Sequence, residues 1–202
     1  MSGVRLQQYE RALARVPAHP RPTIALEQYR TPPDLAARLV FELAGLGDLA
    51  RGRVIDLGAG TGMLSIAAAM FGAPDVVGLD VDPAALRVAR TAAADLDVAD
   101  QTQWVVGDIA QACLRGEVAL TNPPFGTRQR HADRPFLDHA FSQAPVAVVI
   151  HHAEAVDHVD ARAASHGKTR THGWRLGFDL PHQYAHQSRA TKTLAAVALR
   201  YA

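Results

Sequence analysis

Apolar positions in this chain follow two different periods, and the changes between them mark its elements. Residues 5–16 carry Leu6, Tyr9, Leu13 and Val16 three or four apart, which predicts a helix with one apolar face. Pro17-Ala18-His19-Pro20-Arg21-Pro22 stops that helix and predicts an extended connector. Thr31 is expected to cap the next helix, with proline just inside it and Asp34 in its first turn. Its stripe is Leu35, Leu39, Leu43 and Leu46, and its end is expected near Gly45 or Gly47.

Beyond that point short apolar runs take over. Strands are predicted at 53–57, 75–79, 103–106, 117–121 and 147–150, with helices at 63–71, 84–95 and 136–143. A helix at 156–164 and two closing strands at 175–180 and 194–199 complete the chain. Strands alternating with helices imply an α/β fold, a mostly parallel seven-stranded sheet with helices on both faces. The N-terminal helix and its connector are assigned to residues 1–22, and a single domain to 23–202. No repeat, low-complexity tract or linker divides that domain.

Composition changes this picture little. The hydrophobic share of 48% and charged share of 20% are ordinary for a water-soluble domain. No apolar run is long enough for a membrane helix, and the N-terminus lacks the apolar core of a secretory signal. Cys113 is the only cysteine, which excludes an internal disulfide and a cysteine zinc site. A cytoplasmic location is expected. The net charge of +1 is uninformative, but its distribution is not. From residue 161 onward Arg162, Lys168, Arg170, Arg175, Arg189, Lys192 and Arg200 face a single acid, Asp179, and Arg128, Arg130 and Arg134 cluster earlier. A basic second half could hold phosphates.

Candidate chemistry lies at the ends of the predicted strands. Gly58, Gly60 and Gly62 follow the first strand and would let backbone approach a ligand. A dinucleotide fingerprint wants its third glycine one position later, where Met63 stands, which weighs against a nicotinamide or flavin. Asp56, Asp80 and Asp108 end three successive strands, at the sheet edge where parallel sheets bind ligands. Asp56 suits a ligand bearing an amine or sulfonium, Asp80 suits ribose hydroxyls, and Asp108 the exocyclic amine of a base. Each singly could be a cap or turn former, as Asp82 before Pro83 is expected to be. Together they favour an adenosine-containing ligand without phosphate, and S-adenosylmethionine fits.

After the fourth strand comes Asn122-Pro123-Pro124-Phe125-Gly126-Thr127. Two prolines stiffen the turn and remove two donors, leaving a rim of acceptors: the Asn122 amide oxygen and the Pro123 carbonyl. Phe125 adds an apolar face. This rim suits a flat group carrying an –NH2. The histidines His151, His152 and His158 raise a metal site, but neighbours on a strand point opposite ways and no Cys or Glu completes a set at ligand spacing, so none is expected. Trp104 and Trp174 are expected to pack, and no Gly-x-Ser-x-Gly elbow supports a hydrolase.

With those residues placed, the chain resembles the class I S-adenosylmethionine-dependent methyltransferases, Rossmann-like α/β domains. Asp56 to Gly62 is similar to their first motif, and Asn122-Pro123-Pro124-Phe125 to their amino-methylating motif. More narrowly, it resembles the methyltransferase-like protein five family and its archaeal relatives, which methylate adenosine N6 in small-subunit ribosomal RNA. Leu26-Glu27-Gln28-Tyr29, Leu64-Ser65-Ile66, Asn122 to Thr127, Asp179-Leu180-Pro181 and Tyr184 carry the likeness along nearly the whole chain. By position it implies a donor site at Gln28, Thr31, Gly58, Thr61, Met63, Asp80, Asp108 and Ile109, to which the residue reading adds Asp56 and Gly60. The catalytic rim is then Asn122, Pro123, Pro124 and Phe125. RNA contacts are expected at Arg128, Arg130, Tyr184, Arg189 and Lys192. Arg128 stands where the family has Lys, and His186-Gln187 depart from its aromatic and histidine after Tyr184. His151 matches a family position after the fifth strand, which allows it an RNA-facing role. The resemblance also implies a small zinc-binding activator subunit on an exposed sheet edge.

Other readings share parts of this. An amino methyltransferase could act on a protein glutamine amide, a cytosine or guanine amine, or DNA adenine. Phe125 tilts toward a base, because glutamine-modifying relatives usually have Tyr there, and no target-recognition domain for DNA is evident. A non-catalytic RNA-binding scaffold retaining the fold is the third possibility, against which the intact Asp80, Asp108 and Asn122 speak.

Overall fold

A computed structural model describes residues 3–23, 27, 28, 30–125, 130–176 and 196–202. The expectations attached to Leu26, Tyr29, Gly126, Thr127, Arg128, Asp179-Leu180-Pro181, Tyr184, His186-Gln187, Arg189 and Lys192 lie outside the described residues.

Helices α1 (Gly3–Leu13) and α2 (Pro33–Gly45) precede β1 (Arg53–Leu57), α3 (Met63–Met70), β2 (Asp75–Asp80) and α4 (Pro83–Asp95). There follow β3 (Thr102–Val106), β4 (Val118–Thr121), α5 (Arg134–Gln143), β5 (Val146–His152) and α6 (Val156–Ser165), and finally β6 (Arg170–Leu176) and β7 (Ala196–Tyr201). The strands form one seven-stranded sheet in the order β3-β2-β1-β4-β5-β7-β6. The first five run parallel, and β7 runs antiparallel to both β5 and β6.

Period-two alternation sends successive residues to opposite faces of the sheet. On β1, β4 and β5 the residues Val54, Val118, Leu120, Val146, Val148 and Ile150 face the layer built from α1 to α4. Ile55, Leu57, Ala119, Ala147 and Val149 face the other layer, with Leu137, Phe141 and Tyr201. Leu13 and Val16, from α1 and its end, are fully buried in the first layer. Among the described residues no helix is long and apolar enough to cross a membrane.

Three expectations are corrected. The sixth strand begins at Arg170 rather than 175, because its first residues, Arg170-Thr171-His172, are those of an exposed sheet edge and show no apolar alternation. Thr31 does not cap α2: the cap position is Pro32, which offers no side-chain acceptor, and the Thr31 hydroxyl is used elsewhere. Leu46 lies past the end of α2 and is exposed, not part of its stripe.

The basic second half is also less available than its composition suggests. Arg200 is buried, where it forms a two-pronged pair with Asp48 (Nε–Oδ2 2.7 Å, Nη2–Oδ1 2.9 Å). Arg162 pairs with Asp138, and Arg170 with Asp160. Arg130 and Arg175 remain at the surface.

Trp104 packs, as expected: its ring lies across two glycines. A Cβ added to Gly62 would come within 2.6 Å of that ring, and one added to Gly78 within 2.7 Å. Gly62 also has φ +83°, so both space and backbone call for glycine there.

Candidate active site

The carboxyl ends of β1, β2, β3 and β4 surround a cavity of about 490 Å³. Its floor is the turn after β1, where Gly58 (φ +77°) and Gly60 (φ +55°) adopt left-handed backbone and present no side chain. Asp80 closes β2 and lines the cavity beside them. Its carboxylate accepts from Gly60 N–H at 2.7 Å and Asp82 N–H at 2.8 Å, which fixes its orientation. Burial pushes the Asp80 carboxyl above its ordinary value, against the pull of those two N–H groups. Asp108 ends the loop after β3, accepts from Ala110 N–H at 2.9 Å, and lines the same cavity with Ile109. Gln28, Thr61, Asn122 and Pro124 complete the expected residues that meet there.

Asp56, Thr31, Met63, Pro123, Phe125 and Arg130 are not part of that cavity wall. Asp56 is 1% exposed and turns to the first turn of its neighbouring helix: Oδ2 accepts from Ser65 N–H at 3.0 Å and from the Ser65 hydroxyl at 2.5 Å. It caps α3 from the adjacent strand, because Gly62 at the cap position has no side chain to do so. Burial raises the Asp56 carboxyl from 3.8 to about 6, the Ser65 hydrogen bonds opposing. An acid with a raised folded value binds its proton more tightly when folded, so its contribution to stability falls as pH rises between those values. Chemical unfolding of Asp56→Asn beside wild type should show this. The difference should shift in favour of Asn as pH rises from about 4 to about 6 and stay level above, with the other carboxylates cancelling. A pH-independent difference would contradict the buried acid.

The acceptor rim begins at Thr121, whose hydroxyl donates to the Leu57 carbonyl at 2.8 Å and pins the end of β4 to β1. Asn122 then donates from Nδ2 to Thr31 Oγ1 at 3.0 Å. Its Oδ1 is buried and has no hydrogen-bond partner among the described residues. Leaving such an acceptor unmet costs on the order of 1–3 kcal/mol, a cost that a donating ligand removes. Phe125 N–H donates to the buried Glu27 carboxylate at 2.8 Å.

The Phe125 ring lies on His151 (centroids 5.1 Å apart, planes 28°), with His152 edge-on at 5.9 Å. His151 Nδ1 accepts from His152 N–H, which leaves the ring proton on Nε2, 3.4 Å from Asp133 Oδ2. His158 reaches the same oxygen at 2.9 Å. Against the cost of burial, these imidazoles hold the Asp133 carboxyl below its ordinary value. His151, His152 and His158 are thus gathered around Phe125 and Asp133.

Sequence reasoning missed the connector. Ala18, His19 and Pro22 form part of the cavity wall. His19 Nε2 lies 2.8 Å from Asp82 Oδ2, which also accepts from Gln28 Nε2 at 3.0 Å. Despite burial, the bonds from Gln28, Ala84 and His19 hold the Asp82 carboxyl below its ordinary value. A histidine between prolines carries no periodic signal; only its neighbours in space reveal it. Phe136, against Gly58, and Arg30 were likewise not foreseen.

Comparison with known proteins places this geometry. The family model described as ribosomal protein L11 methyltransferase (PrmA) matches residues 40–120. That match includes the glycine turn, Asp80 and Asp108 and stops two residues short of Asn122. An uncharacterised protein of Methanocaldococcus jannaschii is 31% identical over 98% of this chain and 94% of its own. The rRNA N(6)-adenosine-methyltransferase METTL5 of Danio rerio is 30% identical over 98% of this chain and 99% of its own. The chain belongs to the METTL5 family. The crystal structure of a candidate RNA methyltransferase from Pyrococcus horikoshii superposes with a TM-score of 0.89 at 31% identity, covering 98% of both chains. Membership of the METTL5 family, unlike the PrmA match, extends through the acceptor rim and the closing strands.

Proposed function

We propose that this chain transfers a methyl group from S-adenosylmethionine to the N6 amine of an adenine in RNA, with small-subunit ribosomal RNA as the substrate. One observation carries the reading: Asn122, whose Oδ1 is a buried acceptor without a partner among the described residues, lines the same cavity as Asp80. The METTL5 relatives, named for rRNA adenosine N6, support the substrate.

The donor's fit to the cavity rests on its residues. Asp80 is aimed to receive ribose hydroxyls, Asp108 to receive an exocyclic amine, and the glycine turn to admit a thick ligand against bare backbone. When bound, S-adenosylmethionine supplies a methyl already activated by its sulfonium. Adenine N6 is a weak nucleophile because its lone pair is shared with the ring. Asn122 Oδ1 and the Pro123 carbonyl receive its two hydrogens, favour a pyramidal nitrogen and stabilise the positive charge that grows on it. Fixed acceptors and in-line placement supply the rate, and no base acts before transfer. Phe125, backed by His151, offers a ring face to an unpaired or flipped base.

The partner belongs to the same reading. Strand β3 is a sheet edge, and Val105, Val106 and Val81 stand exposed beside it, Val106 at 57%. An unpaired edge with apolar side chains suits strand addition by a small zinc-binding activator subunit.

The test is labelled methyl transfer to purified ribosomal subunits and rRNA, followed by nucleoside analysis. Label in N6-methyladenosine of the small-subunit RNA is expected. Label in protein would move the acceptor to a glutamine amide. No transfer, with no S-adenosylmethionine binding by calorimetry, would leave only a scaffold.

A further inference from the structure

Glu27, Gln28 and Thr31 reach both ends of the acceptor rim and Asp82. Glu27 accepts from Phe125 N–H at 2.8 Å, and Gln28 donates to Asp82 at 3.0 Å. Arg30 Nη2 donates to the Val16 carbonyl at 2.6 Å and the Ala14 carbonyl at 3.3 Å, closing the end of α1. Thr31 accepts from Asn122 Nδ2 at 3.0 Å. Glu27 does this from left-handed backbone, φ +47°, while 7% exposed. A non-glycine residue in that region, with its carboxylate buried, is held there by its surroundings at a cost, and such positions gather at functional sites.

We propose that Glu27 and Thr31 are positioning residues for methyl transfer, setting the Asn122 amide and the Phe125 backbone so that the acceptor rim is assembled from outside its own turn. The inference rests on the functional reading above. A side-chain amide can turn over, exchanging its oxygen and nitrogen. Thr31 engages the Nδ2 end, and Oδ1 is left without a partner among the described residues. Without that hydroxyl, the amide loses the hydrogen bond that holds it and can turn, so that a donor replaces the acceptor the substrate amine needs. Glu27 acts at the other end of the rim. Neither proline can donate, so Phe125 N–H is the first backbone donor after Asn122, and Glu27 fixes it. Neither residue needs to touch the substrate for this.

Thr31→Val keeps the shape and removes the hydroxyl; Thr31→Ser keeps the hydroxyl. Glu27→Ala removes the acceptor, and Glu27→Gln retains one. In single-turnover transfer to RNA at saturating donor, Thr31→Val and Glu27→Ala should each slow the rate about tenfold or more, while Thr31→Ser and Glu27→Gln stay within about threefold. For Glu27→Ala the donor dissociation constant by calorimetry should change by less than about twofold. The discriminating measurement is a double-mutant cycle: in an Asn122→Ala background, Thr31→Val should slow the reaction no further, because its effect passes through that amide. A merely structural Thr31 would keep its penalty there. Unchanged rates, a Thr31→Val penalty that persists in the Asn122→Ala background, or donor binding of Glu27→Ala weakened as much as its rate would each overturn the assignment while the functional reading stands. A wild-type protein that methylates no RNA adenine overturns the functional reading and this inference with it.

Discussion

Asn122→Ala is expected to slow methyl transfer about a hundredfold to a thousandfold while donor affinity stays within about twofold. The side chain removed is the buried acceptor on the cavity wall, and a methyl group cannot receive an amine hydrogen. Asp80, Asp108 and the glycine turn, which line the rest of the cavity, are separate from it and remain in place. Losses of this size follow when a fixed polar group facing developing charge is deleted, because water cannot restore its placement. Asn122→Asp keeps an oxygen in position and should lose less. Single-turnover rates at saturating donor, set beside calorimetric donor binding, check both statements. An alanine variant as fast as wild type would remove Asn122 from the mechanism; one that fails to bind donor would move it to the donor site.

The largest expected effect on stability lies far from the chemistry. Asp48 is fully buried in the turn before β1, and its carboxylate takes two hydrogen bonds from Arg200 on β7 and lies 3.2 Å from Arg51. The Asp48 hydrogen bonds raise the Arg200 guanidinium above its ordinary value, so it stays charged inside the protein. Asp48→Ala should therefore cost about 3–5 kcal/mol, because the remaining charge is buried without its counterion. That is a large part of the roughly 5–15 kcal/mol that holds a domain folded. Replacing both, Asp48→Leu with Arg200→Met, should cost less than the single change, since no orphaned charge remains. Urea unfolding measures both. A loss below about 1 kcal/mol for Asp48→Ala would contradict the account.

Much of the fold was legible because its parallel strands are buried on both faces and stand out as apolar runs: Val54-Ile55, Val76-Val77 and Val146 to Ile150. Strand β6 was misplaced because an edge strand can be polar, and Arg170-Thr171-His172 carry no alternation. The cavity was legible where residue type and strand end coincide, as at Gly58, Asp80 and Asp108. Asp56 satisfied the same rule and yet serves α3, since residue type does not say which side of the strand a carboxylate faces. Thr31 was read locally as a cap, whereas its partner lies ninety-one positions away. His19 and Glu27 likewise act across 63 and 98 positions, on Asp82 and Phe125. Contacts of that span are set by the finished sheet, and nothing in the local sequence announces them.

The indole of Trp104 spans Gly62, at the end of the donor turn, and Gly78 in the strand that ends at Asp80. A ligand that tightens that turn would change the packing around this ring, so its emission is expected to respond to donor binding. The other indole, Trp174, is stacked on His172 (centroids 5.6 Å, planes 11°) at the far edge of the sheet, away from that turn. The two signals can be told apart with Trp104→Phe, and donor titrations then need no label.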